Sequence, residues 1–291
     1  MAKIKFTKMN GLGNDFVVLD YAEYQKSGME KAELAAKLCD RHFGIGADGL
    51  MIIHENPDNA DIGWYFYNSD GSVAQMCGNG IRCFAKYVRA QGLVDKDEFS
   101  VDTLAGIIVP KINNDGTVTV NMNKPVLTCE KIPVNEKSNL NFEIEACGEK
   151  FIANAVSMGN PHCIIFTDKD TKAAALKYGS EIENNPVFPE KTNVEFIKIL
   201  SRSEINLDVW ERGCGITLAC GTGACASVVA GILNGFLDNK VKVNLPGGQL
   251  TIEWNGSKDD VAQNVYMTGP ATFSFVGEID AWLIEISLDV V

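Results

Sequence analysis

Residues 74–83 read AQMCGNGIRC and place Cys77 directly before Gly-Asn-Gly, in a chain without a CxxC pair. A second stretch, LACGTGACA at residues 218–226, repeats the pattern with Cys220 before Gly-Thr-Gly. Glycines at the start of a helix leave backbone N–H groups open to a ligand, because no Cβ covers them. The two stretches therefore predict two helices that each begin just after a cysteine.

Other landmarks keep register with the two cysteines. An asparagine that follows glycine precedes the cysteine by 63 residues in the first copy and by 60 in the second. A further polar residue precedes the cysteine by 9 residues in both copies. This agreement indicates an internal duplication with a period of about half the chain. The landmarks are Asn14, Asn68 and Cys77 in one copy and Asn160, Glu211 and Cys220 in the other.

Strand and helix patterns follow a similar order in the two halves. Apolar strand candidates precede each Cys-Gly stretch, and each stretch opens a helix, to about residue 90 in the first half and over 221–233 in the second. We therefore expect an α+β fold of two domains related by a pseudo-twofold axis, each a mixed, barrel-like sheet around a central helix. The strand candidates are residues 3–9, 16–20, 50–53, 62–67, 151–156, 163–166 and several within 241–276.

The predicted domains follow from the repeat and from a polar, proline-containing segment near residue 130. Residues 1–125 form the half with Cys77, and residues 126–270 form the half with Cys220. The third segment, residues 271–291 at the C-terminal end, is expected either to stand apart or to return to the N-terminal domain. If the halves are equivalent, a pseudo-twofold axis would bring the two cysteines to face each other across a cleft.

The net charge of the chain indicates which kinds of partner the protein binds. The 291 residues carry a formal net charge of −12, which disfavours nucleic acid and anionic membranes as partners and favours a small molecule. The N-terminal segment lacks the apolar region of a signal peptide, and no run of about 18 apolar residues could span a bilayer. We therefore expect a cytoplasmic protein whose nine cysteines are mostly free thiols.

A cysteine at a helix N-terminus suggests acid–base chemistry. Unpaired N–H groups and the helix dipole stabilise a thiolate and are expected to lower the thiol pKa toward neutrality. Two such thiols facing one cavity suit a reaction that removes a proton from one face of a carbon and returns it to the other. Racemisation or epimerisation next to a carboxylate is such a reaction, and it needs no cofactor and no metal.

The chain resembles the diaminopimelate epimerases. The motifs that carry the resemblance are KMNGLGNDF, RHFGIGADG, MCGNGIRC, MGNPHC, TNVEF and ERGCGITLACGTGACA, between residues 8 and 226. The resemblance implies cofactor-independent interconversion of LL- and meso-diaminopimelate, an isomerase activity on the route to lysine. It also allows a homodimer.

The resemblance implies roles for individual residues. Cys77 and Cys220 would be the acid–base pair. Glu211 would hold the ammonium group at the reacting centre, and Arg212 would pair with the distant carboxylate. His162 would support the thiols. The carboxylate cradle would be Gly78, Asn79, Gly221 and Thr222, and the carboxamides that recognise the second amino-acid end would be Asn14, Asn68, Asn160 and Asn193.

Three positions depart from some relatives. Gly49 stands where some members carry a glutamine that reaches the substrate, so this contact is not expected here. Phe273 and Phe275 depart from the His and Tyr that some members carry nearby at a dimer contact, so this contact is not expected in the same form here.

Two alternative functions remain open at this point. The first is a proline or hydroxyproline racemase, which also pairs two cysteines, although Glu211, Arg212 and the four asparagines favour a substrate with a second charged end. The second is a redox-sensing thiol protein without catalytic activity. A zinc site from Cys77, Cys83, Cys214 and Cys220 lacks the CxxC spacing that structural zinc favours.

Overall fold

Two units make up the part of the chain that the computed structural model describes, residues 2–55 and 57–282. The first unit comprises the described residues of Met1–Val120 and Pro270–Val291, and the second comprises Asn121–Gly269. The domain boundaries drawn from the sequence stay predictions, and residues 283–291 of the expected C-terminal segment lie outside the described residues. Within the described ranges, no helix is long and apolar enough to cross a bilayer.

The first unit is built on one mixed sheet of seven strands, in the order β18-β1-β2-β3-β4-β5-β6. A hairpin of two short strands, β7 and β8, follows β6 in the chain. The elements are β1 Lys3–Gly11, β2 Asn14–Leu19, α1 Tyr21–Gln25, α2 Lys31–Cys39, β3 Gly49–His54, β4 Ile62–Asn68, α3 Gly78–Ala90, β5 Val101–Thr103, β6 Gly106–Ile108, β7 Pro110–Ile112, β8 Val118–Asn121 and, from the end of the chain, β18 Thr272–Asp280.

The second unit also rests on one mixed sheet, in the order β17-β16-β15-β13-β12-β11-β10-β9, with β14 paired to β13. A 3-10 turn at Cys129–Lys131 precedes it. The elements are β9 Phe142–Ala146, β10 Glu149–Ser157, β11 Pro161–Phe166, α4 Thr171–Glu183, β12 Asn193–Ser201, β13 Glu204–Glu211, β14 Gly215–Ile216, α5 Gly221–Leu233, β15 Lys240–Leu245, β16 Gly248–Trp254 and β17 Val265–Gly269.

The two units pair their strands in the same way. From β1 in the first unit and from β10 in the second, successive neighbours run antiparallel, parallel, antiparallel, parallel and antiparallel. Each parallel step requires a crossover, and α3 and α5 lie in equivalent crossovers. The α+β class and the internal duplication predicted from the sequence are therefore confirmed.

Each sheet is covered by helices, which explains why its strands read as continuous apolar runs. In β3, Leu50 and Ile52 pack with Leu34 and Leu38 of α2. The alternate residue, Met51, reaches Gly80 of α3. Because neighbouring side chains of a strand point to opposite faces, both faces of this sheet are buried.

The helix α5 is buried on nearly all sides. Eleven of its thirteen residues are buried, including Val228, Val229 and Leu233. A helix that is apolar all round belongs in a protein interior, so the sequence predicts its central position. On the other face of the sheet, Tyr178 of α4 packs against Phe151 and Phe196 with ring centroids 4.9 and 6.3 Å apart.

The buried thiols of the first unit are expected to make it less stable at high pH. Burial raises the pKa of Cys39 and of Cys83 to about 12, whereas an unfolded cysteine titrates near 8.5. Above pH 8.5 the unfolded state loses protons that the folded state keeps, so the free energy of unfolding should fall with rising pH. Each thiol contributes about 1.4 kcal/mol per pH unit up to about pH 12.

Urea unfolding of the reduced protein at pH 8 and pH 10 measures this loss. The double variant Cys39→Ala/Cys83→Ala should show a smaller loss, by about 2.7 kcal/mol per pH unit. An equal loss in both proteins would show that other groups govern the alkaline instability.

Candidate active site

The thiol of Cys77 lies at the start of α3. Cys77 has an extended backbone, with φ −141° and ψ 122°, and caps the helix: its Sγ accepts a hydrogen bond from the Gly80 N–H at 3.4 Å. The residues between them, Gly78 and Asn79, are buried in the first turn. The sequence therefore predicted both the helix start and the position of the thiol correctly.

The thiol of Cys220 has the same geometry at the start of α5. Its backbone is extended, with φ −122° and ψ 108°, and Sγ accepts from the Gly223 N–H at 3.4 Å. The Thr222 hydroxyl lies 3.5 Å from the same sulfur. The first turn of each helix thus presents one thiol beside backbone that is flanked by glycine, as the repeated sequence pattern predicts.

A chain of carboxamides surrounds Cys77. Asn14 Oδ1 accepts from the Cys77 thiol at 3.5 Å and from Asn79 Nδ2 at 3.2 Å. Asn14 Nδ2 donates to Asp48 Oδ2 at 2.6 Å, and Arg82 Nη2 donates to Asn79 Oδ1 at 2.9 Å. Charged residues at both ends therefore determine which way each carboxamide faces.

Arg82 was not singled out from the sequence, yet its side chain is fully buried in α3. Besides Asn79, it donates to the carbonyl oxygens of Gly78 at 3.0 Å and of Pro270 at 3.1 Å. A buried arginine usually donates its N–H groups to hydrogen bonds. The N–H groups of Arg82 hold the backbone directly after Cys77.

Asn68 and Gly49 face each other where β3 and β4 pair. The exposed Asn68 side chain donates to the Ser72 hydroxyl at 2.9 Å. A Cβ at position 49 would lie 2.7 Å from the Tyr67 carbonyl oxygen and 2.8 Å from the Phe66 ring. A larger side chain at position 49 therefore requires a different local backbone, which explains why glycine stands here.

Glu211 and Arg212 lie at the end of β13, the position equivalent to Asn68. The Glu211 carboxylate accepts a hydrogen bond from the Thr217 hydroxyl. The exposed Arg212 side chain donates through Nη1 to the Glu190 carbonyl oxygen at 3.0 Å. The loop is anchored by the buried Glu183, which accepts from the Gly213 N–H at 2.9 Å and from the Trp210 indole at 2.8 Å.

Asn193 forms hydrogen bonds with two separate backbone segments of this site. It is 4% exposed, its Oδ1 accepts from the Arg212 N–H at 3.0 Å, and its Nδ2 donates to the Pro161 carbonyl oxygen at 2.8 Å. Its carboxamide therefore holds the backbone at the base of Arg212.

His162 lies on β11 and is fully buried. Its Nδ1 lies 2.6 Å from Oε1 of Glu195, and its Nε2 lies 3.0 Å from Oδ1 of Asn160. One ring nitrogen of His162, one carboxylate oxygen of Glu195 and the sulfur of Cys220 lie within 4.8 Å of one another. Sequence analysis missed Glu195, although a glutamate between Val194 and Phe196 in an apolar strand signals a buried partner.

Burial raises the pKa of the Cys220 thiol well above its ordinary value. The negative charge of Glu211 acts in the same direction, as would a charge on Glu195, while hydrogen bonds from Thr222 and Gly223 act against it. The expectation that a helix N-terminus lowers this thiol pKa is therefore wrong for Cys220, because desolvation outweighs the helix dipole. At neutral pH, Cys220 is a thiol.

The fold and the repeated thiols define a class of two-unit α+β proteins with a cysteine before the central helix of each unit. The fold of this chain is similar to that of a Bacillus anthracis phenazine biosynthesis protein of the PhzF family, with a TM-score of 0.67 and 15% identity over 96% of this chain and 100% of that one. It is also similar to a hydroxyproline epimerase from Agrobacterium vitis, with a TM-score of 0.65 and 14% identity over 95% and 92%. At these identities the likeness concerns the fold.

The sequence identifies the family within this class. The diaminopimelate epimerase family model matches residues 6–128 and 154–274. The diaminopimelate epimerase of Halothermothrix orenii is 50% identical over 287 residues, 95% of this chain and 98% of that protein. That of Carboxydothermus hydrogenoformans is 49% identical over 277 residues, 94% and 99% of the two chains. The chain belongs to the diaminopimelate epimerase family and is an isomerase, as its motifs indicated.

Replacing Gly223 with alanine is expected to disturb the thiol of Cys220. A Cβ there would lie 2.5 Å from Oε1 of Glu195 and 3.2 Å from Sγ of Cys220. The Glu195 oxygen is held by His162, so the variant should lose about 1–3 kcal/mol of unfolding free energy. Displacing the sulfur should lower kcat/KM about 10- to 100-fold. Urea unfolding and turnover measure the two effects.

The equivalent substitution in the first unit is a matched control. A Cβ at Gly80 would meet the end of the flexible Met51 side chain at 2.7 Å, which moves at lower cost. Gly80→Ala should therefore cost less in stability than Gly223→Ala. Equal losses in the two variants would contradict this explanation.

Proposed function

We propose that the protein interconverts LL- and meso-diaminopimelate without a cofactor, using Cys77 and Cys220 as its acid–base pair. The observation that carries the proposal is the matched geometry of the two thiols, each capping a helix whose first turn is glycine-rich. Membership of the diaminopimelate epimerase family supports the choice of substrate. The product would serve lysine biosynthesis.

The reaction breaks one C–H bond and forms another at the same carbon. One cysteine acts as a thiolate and takes the α-proton, becoming a thiol, and the electron pair moves into the adjacent carboxylate. The other cysteine, as a thiol, returns a proton to the opposite face and becomes a thiolate. Because Cys220 is protonated at neutral pH in the free protein, it begins as the proton donor, and the two cysteines exchange roles when the reaction runs in the opposite direction.

The developing negative charge needs preorganised donors. The backbone of Gly78 and Asn79 and that of Gly221 and Thr222, in the first turns of α3 and α5, would provide them. Glu211 would bind the ammonium group of the reacting centre, and Arg212 would bind the distant carboxylate.

The remaining predicted residues would bind or support the substrate. Asn14 and Asn160 lie beside the thiol of Cys77 and the ring of His162, respectively, and would contact the substrate directly. Asn68 would join them from the exposed end of β4, and Asn193 would act by holding the backbone of Arg212.

Proton NMR of LL-diaminopimelate in D₂O with the reduced protein tests the proposal. Loss of the α-proton signal with appearance of the meso isomer, without added cofactor, is the expected result. A persistent signal would exclude this substrate. Proline and hydroxyproline are then the next compounds to examine, because a hydroxyproline epimerase shares the fold.

We also propose a cytoplasmic location and a homodimer. Buried unpaired thiols such as Cys83 and Cys163 fit a reducing compartment. Phe273 and Phe275 of β18 are 39% and 52% exposed, and the next residue, Val276, is 77% exposed, so a second copy could cover this apolar strand. Light scattering of the purified protein gives the mass; a monomer at micromolar concentration would reject the dimer.

A further inference from the structure

A row of three polar side chains, two of them fully buried, lies beside Cys220. Glu195 of β12 and His162 of β11 have no exposed side-chain surface, and Glu195 Oε1 lies 2.6 Å from His162 Nδ1. The row continues from His162 Nε2 to Asn160 Oδ1 at 3.0 Å. Asn160 is partly exposed at the turn between β10 and β11. The row therefore connects a buried carboxyl group to a carboxamide at the surface.

The second oxygen of Glu195 has an unusual environment. Oε2 is buried and has no hydrogen-bond partner among the described residues. A carboxylate anion would leave half of its charge there without a donor, which is far costlier than leaving a neutral carbonyl oxygen unpaired. The geometry therefore favours the protonated form of this carboxyl group.

The surrounding charges act in the same direction. The titratable groups that face Glu195 are His162 and Cys163 of β11, Glu211 of β13 and Cys220 before α5. Burial raises the pKa of Glu195, the charge of Glu211 raises it further, and His162 acts in the opposite direction.

We propose that Glu195 is a positioning residue that rests as a neutral carboxylic acid, with its O–H donating to His162 Nδ1 and the His162 Nε2–H donating to Asn160 Oδ1. This direction of hydrogen bonds fixes the His162 tautomer. It also fixes the Asn160 carboxamide, because the amino end must then turn away from His162. Glu195 thus makes Asn160 a hydrogen-bond donor.

The consequence for ligand binding rests on the proposed function. A carboxamide that presents its amino end recognises an acceptor, such as a carboxylate oxygen of an amino acid. The neutral acid also keeps a formal negative charge away from Cys220, so this cysteine meets less repulsion when it becomes a thiolate. The absence of a side chain on Gly223 gives Glu195 the space to lie there, since a Cβ would come within 2.5 Å of its oxygen.

Nitrogen-15 NMR of histidine-labelled protein tests the tautomer directly and does not depend on activity. The chain has three histidines, so His42 and His54 serve as internal references. The expected result at neutral pH is a pyridine-type Nδ1 and a pyrrole-type Nε2 for His162. A pyrrole-type signal from Nδ1 would show a proton on that nitrogen and overturn the proposal.

Infrared spectroscopy tests the carboxyl group. At neutral pH the wild-type protein should show the C=O stretch of an un-ionised carboxylic acid, and Glu195→Gln should lack it. Glutamine is the matched variant, because its amino group can donate to Nδ1 as the acid does. Identical spectra in this region would mean that Glu195 is ionised.

Measurements of turnover distinguish a positioning role of Glu195 from direct participation of Glu195 in the reaction. Glu195→Leu removes the donor, and we expect kcat/KM to fall about 10- to 100-fold, as it does when residues that orient a functional histidine are lost. Glu195→Gln should recover most of that loss and keep the wild-type pH profile. A collapse of activity in Glu195→Gln would show that an anion is required and would overturn the proposal.

Different results would refute the proposed function and the inference about Glu195. If no variant and no wild-type protein acts on diaminopimelate, the substrate is wrong, yet the tautomer and the acid band still decide the role of Glu195. If wild-type turnover is normal and the acid band is missing, the inference about Glu195 fails alone.

Discussion

Cys77→Ala and Cys220→Ala are each expected to lower kcat for epimerisation by at least about a thousandfold, the range in which positioned acids and bases contribute. Alanine also removes the sulfur that accepts the N–H of Gly80 or Gly223 at the helix start, so circular dichroism of each variant should first show that it is folded. Each variant keeps one thiol, so it should still exchange the α-proton with deuterium in at most one of the two stereoisomers, without inverting it.

The measurement combines turnover and proton exchange in D₂O. Cys147→Ala is a suitable control, since Cys147 is an exposed cysteine whose thiol contacts Glu181 and Lys177. It should turn over at the wild-type rate. Inversion at the wild-type rate in either Cys77→Ala or Cys220→Ala would refute the two-thiol mechanism.

Arg212→Ala is expected to raise KM for diaminopimelate about a hundredfold, equivalent to about 2.7 kcal/mol, with a smaller change in kcat. The distant carboxylate does not react, so its contact with Arg212 contributes equally to the substrate and the transition state. The backbone of the loop should remain in place, because Asn193 and Glu183 hold the main chain of Arg212 and Gly213.

The control for Arg212 is another exposed arginine of the same unit. Arg202 pairs with Asp238 at 2.8 Å, so Arg202→Ala removes a similar surface charge away from the proposed site. Its KM should stay within about twofold of wild type, since exposed ion pairs contribute little. Calorimetric titration measures the affinity. If Arg212→Ala binds diaminopimelate as tightly as wild type, Arg212 does not bind the distant carboxylate.

Local patterns predicted the elements that carry the thiols. The helix expected over 221–233 is α5, and the one expected to end near residue 90 is α3. Both begin where cysteine is followed by glycine, and such a signal is contained within a few residues. By contrast, α4 at Thr171–Glu183 was not predicted, because it packs through small side chains such as Ala174 and Ala175 and shows little apolar contrast.

The protonation of the site depends on burial, which sequence does not specify. A helix N-terminus beside Cys220 is visible in the sequence, but the depth of the sulfur and the closeness of Glu195 and Glu211 are not. The same limit applies to Asn193, whose carboxamide is used by the backbone of Arg212 and Pro161. Contacts between strands far apart in sequence decide these roles.

The pairing of β1 with β18 has a consequence for synthesis of the chain. Lys3 and Glu278, which meet across these strands, are 275 residues apart. At about 5–20 residues per second, β1 leaves the ribosome well before its partner is made. The second unit is continuous from Asn121 to Gly269, so it is complete before β18 emerges. The second unit can therefore fold before the N-terminal sheet is complete. The β1 edge of that sheet stays unpaired until β18 has been synthesised.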